Sequence, residues 1–380
     1  MTLLDRYISY NFFKQMILWY VVLIGMFIVV DVFQNLDSYF SIQGSRSPWE
    51  VMGIHYFFIS FSIIDMFLPF LIVMSALTLT AGMLGRNEFI ALQSSGVSKF
   101  RAICPFLVSA ILLSGASLWI REVFIPQHKS ETVQTTSELA NPENGISVKQ
   151  ATDKKTRVIL NGEKIFADDN LIRNPVIEFP LKYFDGGVDK LHGETAIYCP
   201  ENKEHPAGYL IQKVSKGKEL LKKPSFTPHS VKHFALLTPV DHSWLKEDEC
   251  FVVSGIDLEH LMIGDQWTSL ASTSQLLREI RNPSSNFKTK DIEASIHTRI
   301  LRPFADLIPL FIVLPFILIQ NNQNVFRGVA IGGGLALVFI GVQFACLYCG
   351  SQYNIAVLAA WVPILLFTPV VVNVFWTLCH

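Results

Sequence analysis

The sequence predicts an α-helical membrane protein with six transmembrane helices, three on each side of an inserted domain that is mostly β-structure. Three observations carry this. Half of the 380 residues are apolar and the mean hydropathy is +0.36, too greasy for an ordinary soluble enzyme. The 17% of residues that are charged are segregated: most lie between Glu122 and Arg302, and long runs on either side hold almost none. Within those limits the apolar runs shorten to strand length and are separated by turn residues.

A helix crosses a hydrocarbon core of about 30 Å with roughly 20 mostly apolar residues. Segments 13–36, 55–84, 102–120, 301–319, 328–349 and 355–378 meet that requirement, the second with Asp65 embedded in it. They are apolar all round, so periodicity does not orient their faces. Arg6 and Lys14 precede the first apolar core, as in a secretory signal, but DVFQNLDSYF follows without a small-residue cleavage pattern. The first helix is therefore read as uncleaved. Orientation follows from the short links. One side carries Arg6, Lys14, Arg86, Lys99, Arg101 and Arg327, and the other only Arg46, which places both termini in the cytoplasm and the large insert outside. The chain divides into 1–121, 122–298 and 299–380.

In the insert, TRVILNG, KIFADD, PVIEFPLKYF, ETAIYC, GYLIQKV and ECFVVSGIDL read as strands punctuated by Asn-Gly, Asp-Gly-Gly and Pro-Glu-Asn. Such spacing suits a sandwich, barrel or jellyroll. The basic stretch SKGKELLKKPSFTPHSVKH reads as a loop, 272–286 admits a short helix, and the chain from Ile292 onward reads as helix into the fourth span. His229, His233 and His242 lie in polar, Pro-containing sequence without other ligands at metal spacing, so they read as solvated loop histidines and no metal site is expected. Of six cysteines only Cys199 and Cys250 lie in the insert, where a disulfide between them is allowed. Cys346 and Cys349 form a CxxC that reads, within an apolar helix, as two small packing residues.

The link GRNEFIALQSSGVSKFR, residues 85–101, holds a short helix at about 87–96. Asn87 can cap it, Glu88 sits on its positive end, Gly96 can close it in a left-handed conformation and Ser98 can cap the next helix. Such an element is either a capped surface turn or a coupling helix that docks on a partner ATPase. No GxxxxGK[ST], HExxH or GxSxG pattern occurs, so neither nucleotide hydrolysis nor another catalytic site is expected of this chain. The net charge of −1 gives no nucleic-acid signal. Asp65, with Pro69 four residues on, is the better intramembrane carboxylate for an alternative reading, an ion-coupled secondary transporter.

The order of these features resembles the LptF/LptG (YjgP/YjgQ) permeases of the lipopolysaccharide-export ABC transporter. The likeness runs through the opening DRYI, the passage FLPFLIVMSALTLTAGMLGRNEFIALQSSGVS, the insert YFDGGVDKLHGETAIYCPENKEHPAGYLIQKV and the re-entry EASIHTRILRPFADLIPLFIVLPF. The resemblance implies a bacterial inner-membrane protein with a periplasmic β-jellyroll, paired with a second LptF/LptG-type permease. It also implies a cytoplasmic ABC ATPase dimer that binds ATP and magnesium in place of this chain. The cargo implied is lipopolysaccharide or a related glycolipid, passed to a periplasmic jellyroll bridge. It places ATPase coupling on Glu88, with Phe89, Leu92, Gly96 and Ser98 completing the helix. Family members carry basic residues at the outer end of the first span, whereas residues 31–45 have no Lys or Arg. Arg46, Arg121, Arg299 and Arg302 map to the outer boundary instead, either as bidentate phosphate ligands or as interface anchors.

Overall fold

The computed structural model describes residues 3–40, 46–179, 189–202, 205–225, 235–319, 325–352 and 355–379. Seven helices make up most of the first compact unit, which joins residues 1–36, 56–126 and 293–380. They are α1 (Leu3–Gln34), α2 (Pro48–Gly85), α3 (Glu88–Ser94), α4 (Lys99–Trp119), α5 (Thr289–Ile319), α6 (Val325–Gln352) and α7 (Ala356–Cys379). The first turns of α2 and α5 fall outside that unit.

Among the described residues five helices are long and apolar enough to cross a membrane: Leu3–Gln34, Pro48–Gly85, Phe100–Gln127, Arg327–Gly350 and Ala356–Asn373. The fourth span expected from sequence falls in α5, a continuous helix that carries Arg299, Arg302, Asp306 and three prolines and is not one of those five. The surfaces of these helices are apolar. On α1, Ile17, Val21, Met26, Val29 and Phe33 are all more than half exposed, which is stable only against lipid or another apolar helix. The unit's main core gathers Phe12 of α1, Leu68, Ile72 and Ala76 of α2, Phe106 and Ala110 of α4, and Leu310 and Val313 of α5.

The second unit comprises residues 37–55 and 127–292. Its strands are β1 (Ile146–Ser147), β2 (Ala151–Thr152), β3 (Ile159–Asn161), β4 (Lys164–Phe166), β5 (Leu171–Arg173), β6 (Val176–Phe179), β7 (Asp189–His192), β8 (Thr195–Cys199), β9 (Gly208–Gln212), β10 (Leu236–Leu237) and β11 (Cys250–Val253). A seven-stranded sheet runs β1-β4-β5-β8-β9-β11-β10 and a four-stranded sheet runs β2-β3-β6-β7, with every pairing antiparallel. Successive strand pairs alternate between the sheets: β2 and β3 in one, β4 and β5 in the other, then β6 and β7, then β8 and β9. Each of the six strands read from sequence has a counterpart, β3, β4, β6, β8, β9 and β11, while the second half of PVIEFPLKYF, residues 180–184, lies outside the described residues. The strands not foreseen are short: β1, β2, β7 and β10 lie at sheet margins, and β5 pairs with β4 across the turn Ala167–Asn170. Buried Asp153 ties the unit together, accepting from the amides of Lys155, Thr156 and Gly255 and from the Ser254 hydroxyl.

Other expectations resolve locally. Ser272 and Gln275 form a reciprocal capping box that starts the helix Thr273–Ile280, as the 272–286 segment suggested. The basic stretch expected to be a loop contains one helical turn, Lys218–Leu221, and its residues 226–233, with His229 and His233, lie outside the described residues. Cys199 and Cys250 are both free thiols; β9 separates their strands, and Cys199 lies level with Val253 rather than Cys250.

Candidate functional site

Two sites occupy the helical unit. The first is the connector between α2 and α4. Glu88 opens α3 and accepts an ion pair from Arg86 Nε at 2.7 Å and a hydrogen bond from the Tyr7 hydroxyl at 3.1 Å. Gly96 lies at φ 82°, and the amides of Gly96 and Val97 bond back to the Gln93 and Leu92 carbonyls, a left-handed closure that glycine permits without Cβ strain. The Ser98 side chain accepts from the Arg101 amide and caps α4. Asn87 departs from expectation. It is itself left-handed, at φ 58°, and makes no side-chain capping bond to α3, because its tight turn directly after α2 requires a positive φ that Asn tolerates. Phe89 is buried in the main core and Leu92 packs against it, so these two root the helix in its own chain. Ile90 and Gln93 are exposed, and Glu88 beside them is half-buried.

The second site is a polar cluster among α2, α4 and α5. Asp65, in the middle of α2, is 5% exposed. One of its carboxylate oxygens pairs with Arg121 at 2.5 Å and the other accepts from the Ser117 hydroxyl at 2.8 Å. Arg121 and Glu122 sit on a π-helical turn, Ile120–Phe124, that continues α4. Glu122 pairs with Arg299, itself 4% exposed, at 3.4 Å. Further along α5, Arg302 lies 3.2 Å from Asp306, whose other oxygen accepts from Ser114 at 2.9 Å.

Arg302 also repairs a break in α2. Pro69 has no amide hydrogen, so the Asp65 carbonyl one turn earlier loses its intrahelical donor. The Arg302 guanidinium donates to that carbonyl and, at 3.3 Å, to the Met66 carbonyl. Beside this break opens a groove of about 550 Å³ between α1, α2 and α6, lined by Trp19, Met26, Phe67, Phe70 and Phe344, with Arg302 as its charged residue. Its walls take apolar chains, and Arg302, paired with Asp306 and bonded to the two α2 carbonyls, places a cationic group at the edge.

The structure thus separates the four arginines singled out in the sequence. Arg302 lines the groove. Arg121 and Arg299 are committed to carboxylates inside the bundle, and Arg46, in the second unit, donates to the Leu139 carbonyl at 3.2 Å. Residues not foreseen are Asp306, Glu122, Ser114, Ser117 and Tyr7. The i, i+4 spacing of Arg302 and Asp306 in an otherwise apolar run was a usable signal for the first of them. Among the described residues no group of three or more His, Cys, Asp or Glu side chains is placed to hold a metal.

Over residues 6–377, nearly the whole length, the sequence matches the family described as lipopolysaccharide export system permease LptF/LptG. No curated protein matches it.

Proposed function

The chain belongs to the LptF/LptG lipopolysaccharide export permease family, and on that premise we propose that it draws lipopolysaccharide from the inner membrane while a partner chain hydrolyses ATP. Membership makes it a multi-pass inner-membrane protein and a transport subunit rather than an ATPase. The proposal extends this to six spans, with α5 as the fourth, cytoplasmic termini and a periplasmic jellyroll formed by the two sheets. Its partners are a second permease of the same type, a cytoplasmic ABC ATPase dimer that holds ATP and magnesium, and a periplasmic jellyroll bridge that receives the lipid.

The observation that carries the reading is the groove. An amphiphile with several acyl chains and an anionic head needs a large apolar cavity with a cation at one edge, and the Trp19–Phe344 groove with Arg302 has that chemistry. In this reading Arg302 contacts headgroup phosphate, Arg121 and Arg299 hold the helices that present it, and Arg46 braces its own unit. Glu88 and its exposed neighbours face the ATPase. The alternative ion-coupled reading gains no support from geometry, because both oxygens of Asp65 are occupied by Arg121 and Ser117.

A photo-crosslinking residue at Met26 or Phe344 tests the groove in cells. The expected result is a lipopolysaccharide adduct at both positions and none at Leu365, which is 64% exposed on α7 and lines no part of the groove. Equal labelling at all three positions, or none, would count against the reading.

A further inference from the structure

The DRYI segment near the start of α1 makes the contacts that hold the connector. Tyr7 donates to Glu88 at 3.1 Å, and its second approach, to the other carboxylate oxygen, is 3.3 Å. Asp5, two residues earlier, pairs with Arg101 in the first turn of α4 at 2.9 Å. The two bonds leave α1 in one short stretch and grip both ends of the 86–101 link: Glu88 where α3 begins and Arg101 just past the Ser98 cap. One turn further, Ser109 donates to Ser9 at 3.2 Å.

Burial along α1 is uneven in a way that suits a lever. Its buried residues are Asp5, Ile8, Phe12 and Met16, a stripe at three- and four-residue spacing confined to the first half. Phe12 packs edge-on against Phe106 of α4 at 5.8 Å between ring centroids. Beyond Met16 the same helix is largely exposed and supplies Trp19, Val22, Leu23, Met26 and Val30 to the groove wall. There it is tied to α2 by side-chain bonds: the Trp19 indole donates to Thr78 at 3.1 Å, the Tyr20 hydroxyl to the Ser60 carbonyl at 3.5 Å, and the Tyr56 hydroxyl to Asp31 at 2.7 Å. A continuous helix buried in its first half and held further on by side-chain bonds to α2 carries displacement of the root to the far end.

We propose that Tyr7 and Asp5 are positioning residues that lock α1 to the connector, Tyr7 by orienting Glu88 and Asp5 by holding Arg101, so that connector movement shifts the α1 wall of the groove. This rests on the coupling role proposed for Glu88 and deepens it: the path from connector to groove runs through α1 as well as through α2 and α4. Tyr7 touches no substrate. It restrains the Glu88 carboxylate, and its hydroxyl is the only part of the side chain that the role requires.

The test uses the complex purified with its ATPase from native membranes and placed in proteoliposomes containing lipopolysaccharide, read as lipopolysaccharide released per ATP hydrolysed. Tyr7→Phe removes the hydroxyl alone and is expected to lower that ratio about five- to tenfold, the scale of one lost hydrogen bond of ordinary net strength. Asp5→Arg and Arg101→Asp are each expected to lower it similarly, and the double exchange to return it to within about twofold of the unsubstituted complex, since a reversed pair restores the same attraction. A wild-type ratio for Tyr7→Phe, or a double exchange no better than either single, overturns the inference. If Tyr7→Phe fails to assemble, the exchange series decides alone. Glu88→Gln in the same assay separates the two levels: a normal ratio there defeats the underlying coupling role, whereas loss there with a normal Tyr7→Phe defeats this inference only.

Discussion

At the residue scale the strongest consequences come from buried charge. Asp65 and Arg121 form a pair whose side chains are 7% and 21% exposed. Removing one partner strands the other in an apolar bundle at a cost of about 3–5 kcal/mol, whereas replacing both with neutral groups costs less. Asp65→Ala is therefore expected to lower the thermal midpoint in detergent sharply, and Asp65→Asn with Arg121→Gln to recover part of the loss. A second residue-scale effect lies in the β unit. His260 is 4% exposed, its ring 4.4 Å from that of Trp267 and 5.4 Å from that of Phe287. Burial pushes its imidazole below the ordinary histidine range, against the pull of Glu279, Asp257 and Glu259 and with the push of Lys129. A depressed folded-state value means that the unfolded chain binds the proton more readily. The stabilisation is then present above the ordinary value of about 6.5 and is lost as pH falls below it. Denaturant unfolding at pH 7.5 and pH 5 should show this loss, and His260→Gln should flatten it. Burial of this kind could not be read from sequence, where His260 stands in an unremarkable SGIDLEHLM run.

At the element scale the break in α2 was legible and its partner was not. Pro69 four residues after Asp65 marks a freed carbonyl in any helix, but the donor that satisfies it, Arg302, lies 237 positions away along the chain. Pro69→Ala restores the missing amide. The variant is expected to gain stability, up to about 3 kcal/mol less the roughly 1.5 kcal/mol or more contributed by the displaced Arg302 bond, while losing lipid release as Arg302 is freed from its position at the groove. Thermal unfolding and the release assay read the two effects separately. The connector shows the same division. Gly96 and Ser98 act as their local chemistry dictates, but Asn87 adopts a left-handed turn set by the preceding helix. The inward face of α3 was hidden because its anchor is tertiary: Phe89 meets the main core. In the larger sheet Gly208 faces β11 so closely that an added Cβ would lie 2.3 Å from the Val252 carbonyl and 2.7 Å from the Phe251 ring. Gly208→Ala is expected to cost about 1–3 kcal/mol in denaturant unfolding, because two backbones meet where no side chain fits.

For the whole molecule, run length and charge segregation were enough to locate the helical runs and the β insert between them, since both follow from solvent preference one residue at a time. What they could not supply is which helices share a surface. Helices apolar all round carry no periodic signature, so the groove among α1, α2 and α6 and the inward commitment of Arg121 and Arg299 emerged only from packing. The function proposed for the molecule joins these parts, with a connector facing a motor, a groove for an amphiphile and no nucleotide chemistry of its own. The most direct test is lipopolysaccharide release from proteoliposomes holding the full complex, with ATP or a proton gradient as the only energy source, for the unsubstituted chain and for Glu88→Ala. The account predicts release with ATP alone, none with the gradient alone, and loss of ATP-driven release in an assembled Glu88→Ala complex; release driven by the gradient, or normal ATP-driven release from that variant, would contradict it.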